Sequence, residues 1–422
     1  MFNLKSIKMK SKLNNRESGS FTRRKFITTT GTAAIGAITV INPLMVRGSV
    51  ANTKIRIGII GCGGRGTWIA KLFKNHVGFE VVAGADYFQD KVDAFGIQLE
   101  VPKNKLFTGL SAYKKLIDSG VDAIAIESPP YFHPEQAAAG VDAGKHVYLA
   151  KPAAVDVPGC NSIEKSGLKA SKNNLCFLID FQTRANDYFI EALHRVHKGD
   201  IGELAFGEAS YHAEFPFTEQ NKILKSDPKN TENQLRAWGI SRELSGDIIT
   251  EQNIHTLDVM SWIMKANPVS AYGSCGHNVR DDIGTCSDHF ALVFKYPKNV
   301  AVTFSSRQYE SLSAGGIKNR MFGSKGTLET EYGGQVRILG ENPYPGGETG
   351  PIYQQGAENN IAAFYNNITS GNYTNTTLLP GVTSNLVTIL GRNAAYGNKE
   401  VLWKDLIQSK EKLIPNLKGL KI

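Results

Sequence analysis

The sequence has 422 residues, 41% of them hydrophobic, which is enough for two domains with large cores, and its 42 glycines are typical of an α/β protein with many tight turns. Nearly all of the net charge of +9 falls within residues 1–51, so the near-neutral remainder argues against nucleic acid or an anionic membrane as a partner. Five cysteines without a C-x-x-C pair argue against a zinc site or a disulfide framework.

A basic segment precedes a long uncharged stretch at the start of the chain. Arg23 and Arg24 lie in "TRRKFI", residues 26–46 carry no charge, and "SVA" at 49–51 offers small residues for cleavage. This pattern predicts a twin-arginine signal peptide over residues 1–51, export through the twin-arginine translocase and a periplasmic location. The alternative interpretation is an N-terminal membrane anchor.

Strands and helices alternate over residues 52–180. The run "KIRIGII" at 54–60 is apolar at most positions, as a strand buried on both faces requires, and helical spacing follows in "TWIAKLF". The alternation predicts an N-terminal Rossmann domain, a doubly wound parallel sheet with strands at 54–60, 79–86, 121–130, 146–152 and 175–184.

The pattern changes in the remaining residues, 181–422. After a helix predicted at 186–202, a series of strand-like runs follows, several of them joined by short turns. They predict a C-terminal α/β domain built on a mainly antiparallel sheet and closed by helices at 356–371 and 384–397. The longest irregular segment is 214–247, and long irregular segments often carry function.

The segment "GCGGRG" matches G-x-G-x-x-G between the first strand and the first helix. Gly61 permits a sharp turn, Gly63 lets the backbone approach a pyrophosphate, and Gly66 lets the helix pack closely on the strand. Gly64 and Arg65 complete the turn at the helix N-terminus, whose free N–H groups bind phosphate. This context predicts a dinucleotide-binding site; the alternative is a glycine turn in a fold that has lost its nucleotide.

An acidic residue, Asp86, ends the second predicted strand. Its carboxylate would accept hydrogen bonds from the adenosine ribose and repel a 2′-phosphate, and no arginine follows it in "ADYFQDK". The sequence therefore predicts NAD as the cofactor and disfavours NADP. Because the chain has no H-E-x-x-H or other close-spaced cluster of ligands, no metal site is predicted.

Three longer segments resemble the glucose–fructose oxidoreductase / inositol dehydrogenase / MocA (Gfo/Idh/MocA) family: "GIIGCGGRG", "AIAIESPPYFHPEQAAAGVDAGKHVYLAKP" and "GDIITEQNIHTLDVMSW". The resemblance covers nearly all of residues 54–400. It implies a Rossmann domain followed by an α/β domain whose open sheet supports oligomer contacts, so a homo-oligomer is expected. It also implies oxidation or reduction of sugars, inositols and related polyols.

The catalytic residues are expected from the same resemblance. The family's E-K-P tripeptide aligns with "AKP", which implies Lys151 as the catalytic lysine and replaces the usual glutamate by Ala150. The family's acid four residues before a histidine aligns with Glu251 and His255, with Asp258 expected next to the histidine. Positions four apart share a helix face, so both side chains are expected in one cleft.

Histidine and lysine suit hydride removal from a secondary alcohol, which needs a base for the hydroxyl proton. We assign His255 as the base, with a neighbouring carboxylate to fix its tautomer, and Lys151 as the donor to the substrate oxygen. The reverse assignment stays open, and a buried core histidine is the alternative for His255.

Further binding residues are expected on both sides of the cleft. By resemblance, Ser128, Pro129 and His133 would lie near the coenzyme, and Gln182 and Arg184 would flank the nicotinamide and the substrate. Three further side chains could stack on or hydrogen-bond a sugar, and core packing is an equal alternative for each of them: Trp238, Tyr211 and His212.

The function predicted from the sequence is oxidoreduction at a hydroxyl-bearing carbon of a sugar or polyol. Outside the cytoplasm little free NAD is expected, and the twin-arginine route carries folded proteins. The coenzyme is therefore expected to be loaded before export, held tightly and recycled in place. Two alternatives stay open: an NAD-dependent glycosidase or lyase that works through a transient keto-sugar, and a protein that binds NAD and carbohydrate without turnover.

Overall fold

The computed structural model describes residues 54–310 and 315–422, so the predicted signal peptide lies outside the described residues. The first half of the described chain forms a six-stranded sheet in the order β3-β2-β1-β4-β5-β6, in which all neighbours are parallel. Its strands are β1 (Ile55–Ile60), β2 (Phe79–Asp86), β3 (Leu106–Thr108), β4 (Ala123–Ile126), β5 (His146–Ala150) and β6 (Phe177–Asp180). The order reverses between β1 and β4, and in such sheets ligands bind in the crevice at that point, outside the carboxyl ends of the strands.

Helices cover both faces of this sheet, as the predicted Rossmann domain requires. They are α1 (Gly64–Asn75), α2 (Gln89–Leu99), α3 (Ala112–Ile117), α4 (His133–Asp142) and α5 (Val157–Lys172). On α1, Ile69 and Phe73 are spaced by four residues and point into the core, where the ring of Phe73 packs edge-on against Phe79 and Tyr148.

The second half contains a nine-stranded sheet in the order β14-β13-β12-β11-β7-β10-β9-β8-β15. Only the β7–β10 pair is parallel among the described strands, so the sheet is mainly antiparallel, as predicted. The strands are β7 (Leu204–Ala213), β8 (Ser270–Gly276), β9 (His289–Lys295), β10 (Ala301–Gln308), β11 (Gly316–Gly323), β12 (Gly326–Glu331), β13 (Gln335–Gly340), β14 (Tyr344–Glu348) and β15 (Val401–Leu402).

Helices pack on one face of this second sheet and leave the other face open. Among them are α6 (Asp187–Lys198), α11 (Ile254–Met264) and α13 (Leu378–Gly397), whereas α12 (Ile352–Ser370) packs on the Rossmann domain. Short helices occupy most of the segment 214–247, which was predicted to be irregular: α7 (Thr218–Ser226), α8 (Thr231–Arg236) and α9 (Arg242–Ser245), with α10 (Ile248–Glu251) directly after it and α14 (Trp403–Leu406) near the end of the chain. No helix in the described ranges is long and apolar enough to cross a membrane.

The chain returns to the first sheet after the second is complete. Ile361 and Phe364 of α12 are buried in the core beneath α1, and side chains just before α13 bond the edge strand β6. There Asn375 accepts from the main-chain N–H of Phe177, and Thr377 accepts from that of Ile179. Residues 352–377 thus complete the core of the Rossmann domain and cover its open edge.

Candidate active site

The glycine turn between β1 and α1 has the geometry that a dinucleotide needs. Gly61 has a φ of +95°, which favours glycine, and a Cβ on Gly66 would lie 1.8 Å from the main-chain oxygen of Gly61. A Cβ on Gly63 or Gly64 would meet nothing within 4 Å, so the backbone there borders open space. Since α1 begins at Gly64, its free N–H groups lie beside that space, and the turn fits a pyrophosphate.

Asp86 lines the same pocket from the end of β2. Its carboxylate accepts from the main-chain N–H groups of Cys62 (2.8 Å) and Phe88 (2.9 Å), which fix it in place, and burial raises its pKa. An ionised carboxylate has further lone pairs for ribose hydroxyls. Lys91 and Arg236 also line this pocket. Arg236 comes from α8, so this basic group could not be found by looking at the residues that follow Asp86 in the sequence.

The loops after β4 and β5 are held together beside the coenzyme pocket. Ser128 and Pro129 line the pocket, as expected. His133 is buried, with Nδ1 2.9 Å from the carbonyl oxygen of Pro152 and Nε2 2.7 Å from that of Ser128. Burial lowers the pKa of His133 to about 4. The neutral ring has a single N–H, so it donates to one of these two carbonyl oxygens, depending on its tautomer.

The structure brings the three predicted catalytic residues together. The Nζ of Lys151 lies 2.6 Å from the main-chain oxygen of Glu251 and 3.4 Å from its carboxylate Oε1. Burial lowers the pKa of Lys151, which Glu251 partly offsets. The pKa of His255 is held well below its usual value by burial and by the charge of Lys151, so the imidazole is neutral. Its Nδ1 is buried without a hydrogen-bond partner among the described residues.

Glu251 and His255 do not share one continuous helix. Glu251 ends α10 and His255 lies in the first turn of α11, with a break between them. The break lets the main-chain oxygen of Glu251 leave the helix and accept from Lys151. Glu251 also bonds the side chain of Gln252, whose own oxygen accepts from the Tyr211 hydroxyl at 2.7 Å. Tyr211, expected to contact a sugar, is buried and supports Glu251 instead.

Asp258 binds Arg184 and does not hydrogen-bond His255. The Arg184 Nε and Nη2 lie 3.0 and 2.9 Å from Asp258 Oδ1, which also accepts from Ser384 at 2.7 Å. Because the carboxylate is fully buried and already holds these donors, it joins the turn after β6 to α11 and α13. The carboxylate expected to set the tautomer of His255 is therefore engaged elsewhere.

Arg65 lies in the glycine turn, but its side chain turns inward. Its Nε lies 3.0 Å from Glu127 Oε2, its Nη2 lies 2.5 Å from Asp180 Oδ2, and its Nη1 donates to the Tyr353 hydroxyl. Gln182 is fully buried beside Asp180, with its amide nitrogen 3.4 Å from that carboxylate. Glu127 and Asp180 were not among the predicted site residues, although an acid at the carboxyl end of each of two apolar strand-like runs is a visible signal.

Strand register explains why these acids flank the lysine. Ile126 pairs with Leu149, and Ala150 pairs with Asp180, so Glu127, Ala150 and Asp180 lie side by side at the carboxyl ends of β4, β5 and β6. Ala150, which replaces the glutamate of the family's E-K-P tripeptide, thus has a carboxylate on each side, from Glu127 and from Asp180.

The two other predicted sugar contacts lie away from Lys151. His212 is on the open face of the second sheet, with its Nε2 3.1 Å from the Ser305 hydroxyl. Trp238 lines the coenzyme pocket and packs edge-on against Phe217, 5.8 Å between ring centroids. The described residues contain no cluster of three or more His, Cys, Asp or Glu side chains arranged to hold a metal ion.

Two segments far apart in the sequence from Asp86 lie on its side of the pocket: α7–α8 line the pocket, and the end of the chain packs against residues that line it. One is α7–α8, where Arg236 binds Asp90 at 2.6 Å and stacks 3.8 Å above the ring of Phe88. The other is the end of the chain, where the main-chain oxygen of Lys421 accepts from Leu110 N–H at 2.9 Å. Leu420 joins both to an apolar cluster beside the pocket, with Leu235, Leu244, Leu417, Trp238 and Phe88.

Comparison with known families agrees with this geometry. A model of the oxidoreductase family with an NAD-binding Rossmann fold matches residues 55–177, and a model of the GFO/IDH/MocA C-terminal domain matches residues 189–329. The chain belongs to the Gfo/Idh/MocA family. Its Rossmann domain is NAD-binding, which confirms the predicted fold and cofactor.

Curated relatives of this Gfo/Idh/MocA protein include glycosidases. A glycosyl hydrolase family 109 protein of Shewanella pealeana is 29% identical over 210 residues, 45% of each chain. An α-N-acetylgalactosaminidase of Shewanella oneidensis is 29% identical over 162 residues, 37% of this chain and 35% of the relative. The match thus spans less than half the length of either relative.

Solved structures share the fold at low identity. Scyllo-inositol dehydrogenase of Lactobacillus casei, solved with NAD(H) and scyllo-inositol, is 19% identical with a TM-score of 0.66, over 83% of this chain and 100% of that one. Aldose-aldose oxidoreductase of Caulobacter crescentus is 20% identical with a TM-score of 0.65, over 83% and 99% of the two chains.

Proposed function

We propose that the protein is an NAD-dependent oxidoreductase that acts on a hydroxyl-bearing carbon of a sugar or polyol. The observation that carries the proposal is the meeting of Lys151, Glu251 and His255 at the carboxyl end of the Rossmann sheet, where the coenzyme crevice ends. A buried lysine, a buried carboxylate and a neutral histidine have no structural need to meet in one cleft.

The side chains divide the proton chemistry between them. When bound, NAD accepts the hydride from the substrate carbon and later returns it. His255 accepts the hydroxyl proton, since its imidazole is neutral and its Nδ1 has no partner among the described residues. Lys151, fixed by two oxygens of Glu251, donates a hydrogen bond to the substrate oxygen. A neutral substrate suits the site, because Lys151 and Arg184 each already face a carboxylate.

The coenzyme of this enzyme is held rather than exchanged at each turnover. The support is α7–α8, which line the pocket, together with residues 417–422, which pack against its lining residues Leu110 and Leu235. The Arg236–Asp90 ion pair and the hydrogen bond from Leu110 N–H to the Lys421 oxygen hold these two segments in place beside the pocket. Retention would let two substrates react in turn with one coenzyme.

Release of nucleotide and a spectral assay test this function together. Purified protein is unfolded and the supernatant is analysed for NAD; native protein is then mixed with single sugars and polyols while the absorbance of the reduced nicotinamide is followed. We expect about one nucleotide per chain and a persistent rise in absorbance with a substrate sugar. Bound nucleotide with no response to a broad panel of sugars, and no product formed, would instead support a silent binder.

A redox-neutral glycosidase is the second candidate. It is favoured by the similarity of this chain to glycosidases of Shewanella. In that reaction the hydride leaves and returns to the same sugar, so product forms without a net change in nicotinamide absorbance. The two candidates separate when nitrophenyl glycosides are supplied: released nitrophenol with an unchanged coenzyme spectrum supports the glycosidase and contradicts net oxidoreduction.

Export and assembly complete the proposal. Arg23 and Arg24 support twin-arginine export, which is tested by fractionating cells that express the full chain and a variant with both arginines replaced by Lys. Loss of the periplasmic pool in the variant is expected.

Exposed aromatics on the open face of the second sheet support a homo-oligomer: Phe206 stacks on Phe322 at 4.4 Å, and Tyr272 is 50% exposed. A monomeric mass by light scattering would contradict it.

A further inference from the structure

Glu127 is an ionisable side chain with no role in the proton and hydride transfers proposed above. It directly follows β4, beside β1, and lines the coenzyme pocket. Its side chain is fully buried, and neither carboxyl oxygen has a hydrogen-bond partner of good geometry among the described residues. Four groups face it: Arg65 from α1, Asp180 from β6, Tyr148 from β5, and Lys151 from the loop after β5.

The charges around Glu127 do not balance. Arg65 is the single cation that contacts both Glu127 and Asp180, so this trio carries one negative charge when both carboxyl groups are ionised. The neighbouring pairs, Lys151 with Glu251 and Arg184 with Asp258, are each neutral. Burial and the nearby Asp180, opposed by Arg65, raise the pKa of Glu127 to about 7. Near neutral pH a small change in local charge therefore decides whether Glu127 holds a proton.

The chemistry of the site supplies such a change. The nicotinamide ring is positive when oxidised and neutral when reduced, and the carboxyl ends of β1 and β4 border its crevice. Oxidation of an alcohol also leaves a proton to be stored. His255 cannot keep it near neutral pH, because its pKa is well below its usual value.

We propose that Glu127 stores this proton, so that its carboxyl is protonated while the coenzyme is reduced and ionised while the coenzyme is oxidised. The inference rests on the proposed function. In the forward step the substrate C–H and O–H bonds break and a carbonyl forms. The hydride and its electron pair go to the coenzyme, and the hydroxyl proton passes through His255 and ends on a Glu127 oxygen. The reverse step returns both, and the site keeps the same net charge throughout.

Competition between the two redox forms tests the proposal without substrate. Purified protein is incubated with excess NAD⁺ and NADH at about pH 6.5 and about pH 8.5 until the bound coenzyme has exchanged. It is then freed of unbound nucleotide, unfolded and analysed by chromatography. The bound ratio of NAD⁺ to NADH should rise about tenfold with pH in the wild type, because ionised Glu127 favours the positive ring. In Glu127→Gln the ratio should stay nearly constant. Glu80→Gln, an exposed charge change on β2, should behave as the wild type.

A second measurement uses unaltered protein, in case Glu127→Gln does not fold. When NADH replaces bound NAD⁺ in weakly buffered solution near pH 7, the protein should take up about one proton per site. Uptake near zero, or an unchanged pH dependence in folded Glu127→Gln, overturns the assignment of Glu127 while the proposed function stands. Failure of every sample to bind either nucleotide overturns both.

Discussion

The ammonium of Lys151, in the loop after the Rossmann strand β5, lies 2.6 Å from the main-chain oxygen of Glu251, in the α10–α11 break. The main chain between α10 and α11 thus holds the catalytic lysine in place. We expect Lys151→Ala to lower kcat by about a hundredfold or more while NAD binding stays near wild type. Glu251→Gln keeps the main-chain acceptor, so its loss should be smaller, about tenfold. Steady-state kinetics and nucleotide content check both, and equal losses would contradict the role of the main chain.

The pH profile should show whether His255 is the base. Since burial and Lys151 lower its pKa, the imidazole stays unprotonated as the pH falls through the usual histidine range. Activity limited by His255 should therefore be lost only at a pH well below 6.5, where the ring gains a proton. His255→Asn should remove most activity at every pH. An acid limb near 6.5 in the wild type, or a limb that persists in His255→Asn, assigns the titration to another group.

Replacing each of two glycines of one turn by alanine should affect a different property, NAD binding for Gly63 and stability for Gly66. A methyl group on Gly63 enters open space, so Gly63→Ala should fold with wild-type stability but bind NAD at least about tenfold more weakly, because the backbone no longer approaches the pyrophosphate. A methyl group on Gly66 collides with Gly61, so Gly66→Ala should lose about 1–3 kcal/mol of stability. Chemical denaturation and calorimetric titration separate the two effects. Stable Gly66→Ala would contradict the close packing of α1 on β1.

The sequence predicted the fold better than it predicted the site. Period and turn signals placed the five longer Rossmann strands, because buried parallel strands are apolar runs between glycine turns. It missed β11, in which Lys318, Asn319 and Arg320 are three consecutive polar residues that break the alternation typical of a strand. It left residues 214–247 irregular because three short helices give little periodicity. Lys151, Glu251 and His255 came from resemblance. The inward turn of Arg65 and the Asp258–Arg184 pair depend on tertiary contacts that no local pattern encodes.

Asp86 should set the preference for NAD over NADP. Asp86→Asn keeps one oxygen acceptor and removes the charge that repels a 2′-phosphate, while Lys91 and Arg236 remain in the pocket to attract it. The NADP-to-NAD affinity ratio should rise about tenfold or more, measured by titration calorimetry. Asp93→Asn, an exposed change on α2, should leave the ratio unchanged. An unchanged ratio in Asp86→Asn would place the ribose elsewhere.

Coenzyme retention should depend on α7–α8, which line the pocket, and on residues 417–422, which pack against its lining. Removing residues 417–422 takes away Leu420 and the bond from Leu110 to Lys421, so bound NAD should leave about tenfold faster or more. Arg236→Ala should act in the same direction by a separate route, since it frees Asp90 and the ring of Phe88. Lys169→Ala removes only an exposed ion pair with Asp142, neither residue of which lines the pocket, and is the control. Exchange of bound NAD for labelled NAD gives the rates. If both variants match the control, the coenzyme is retained by contacts deeper in the crevice, at the glycine turn and around Lys151, because those are the contacts that remain intact.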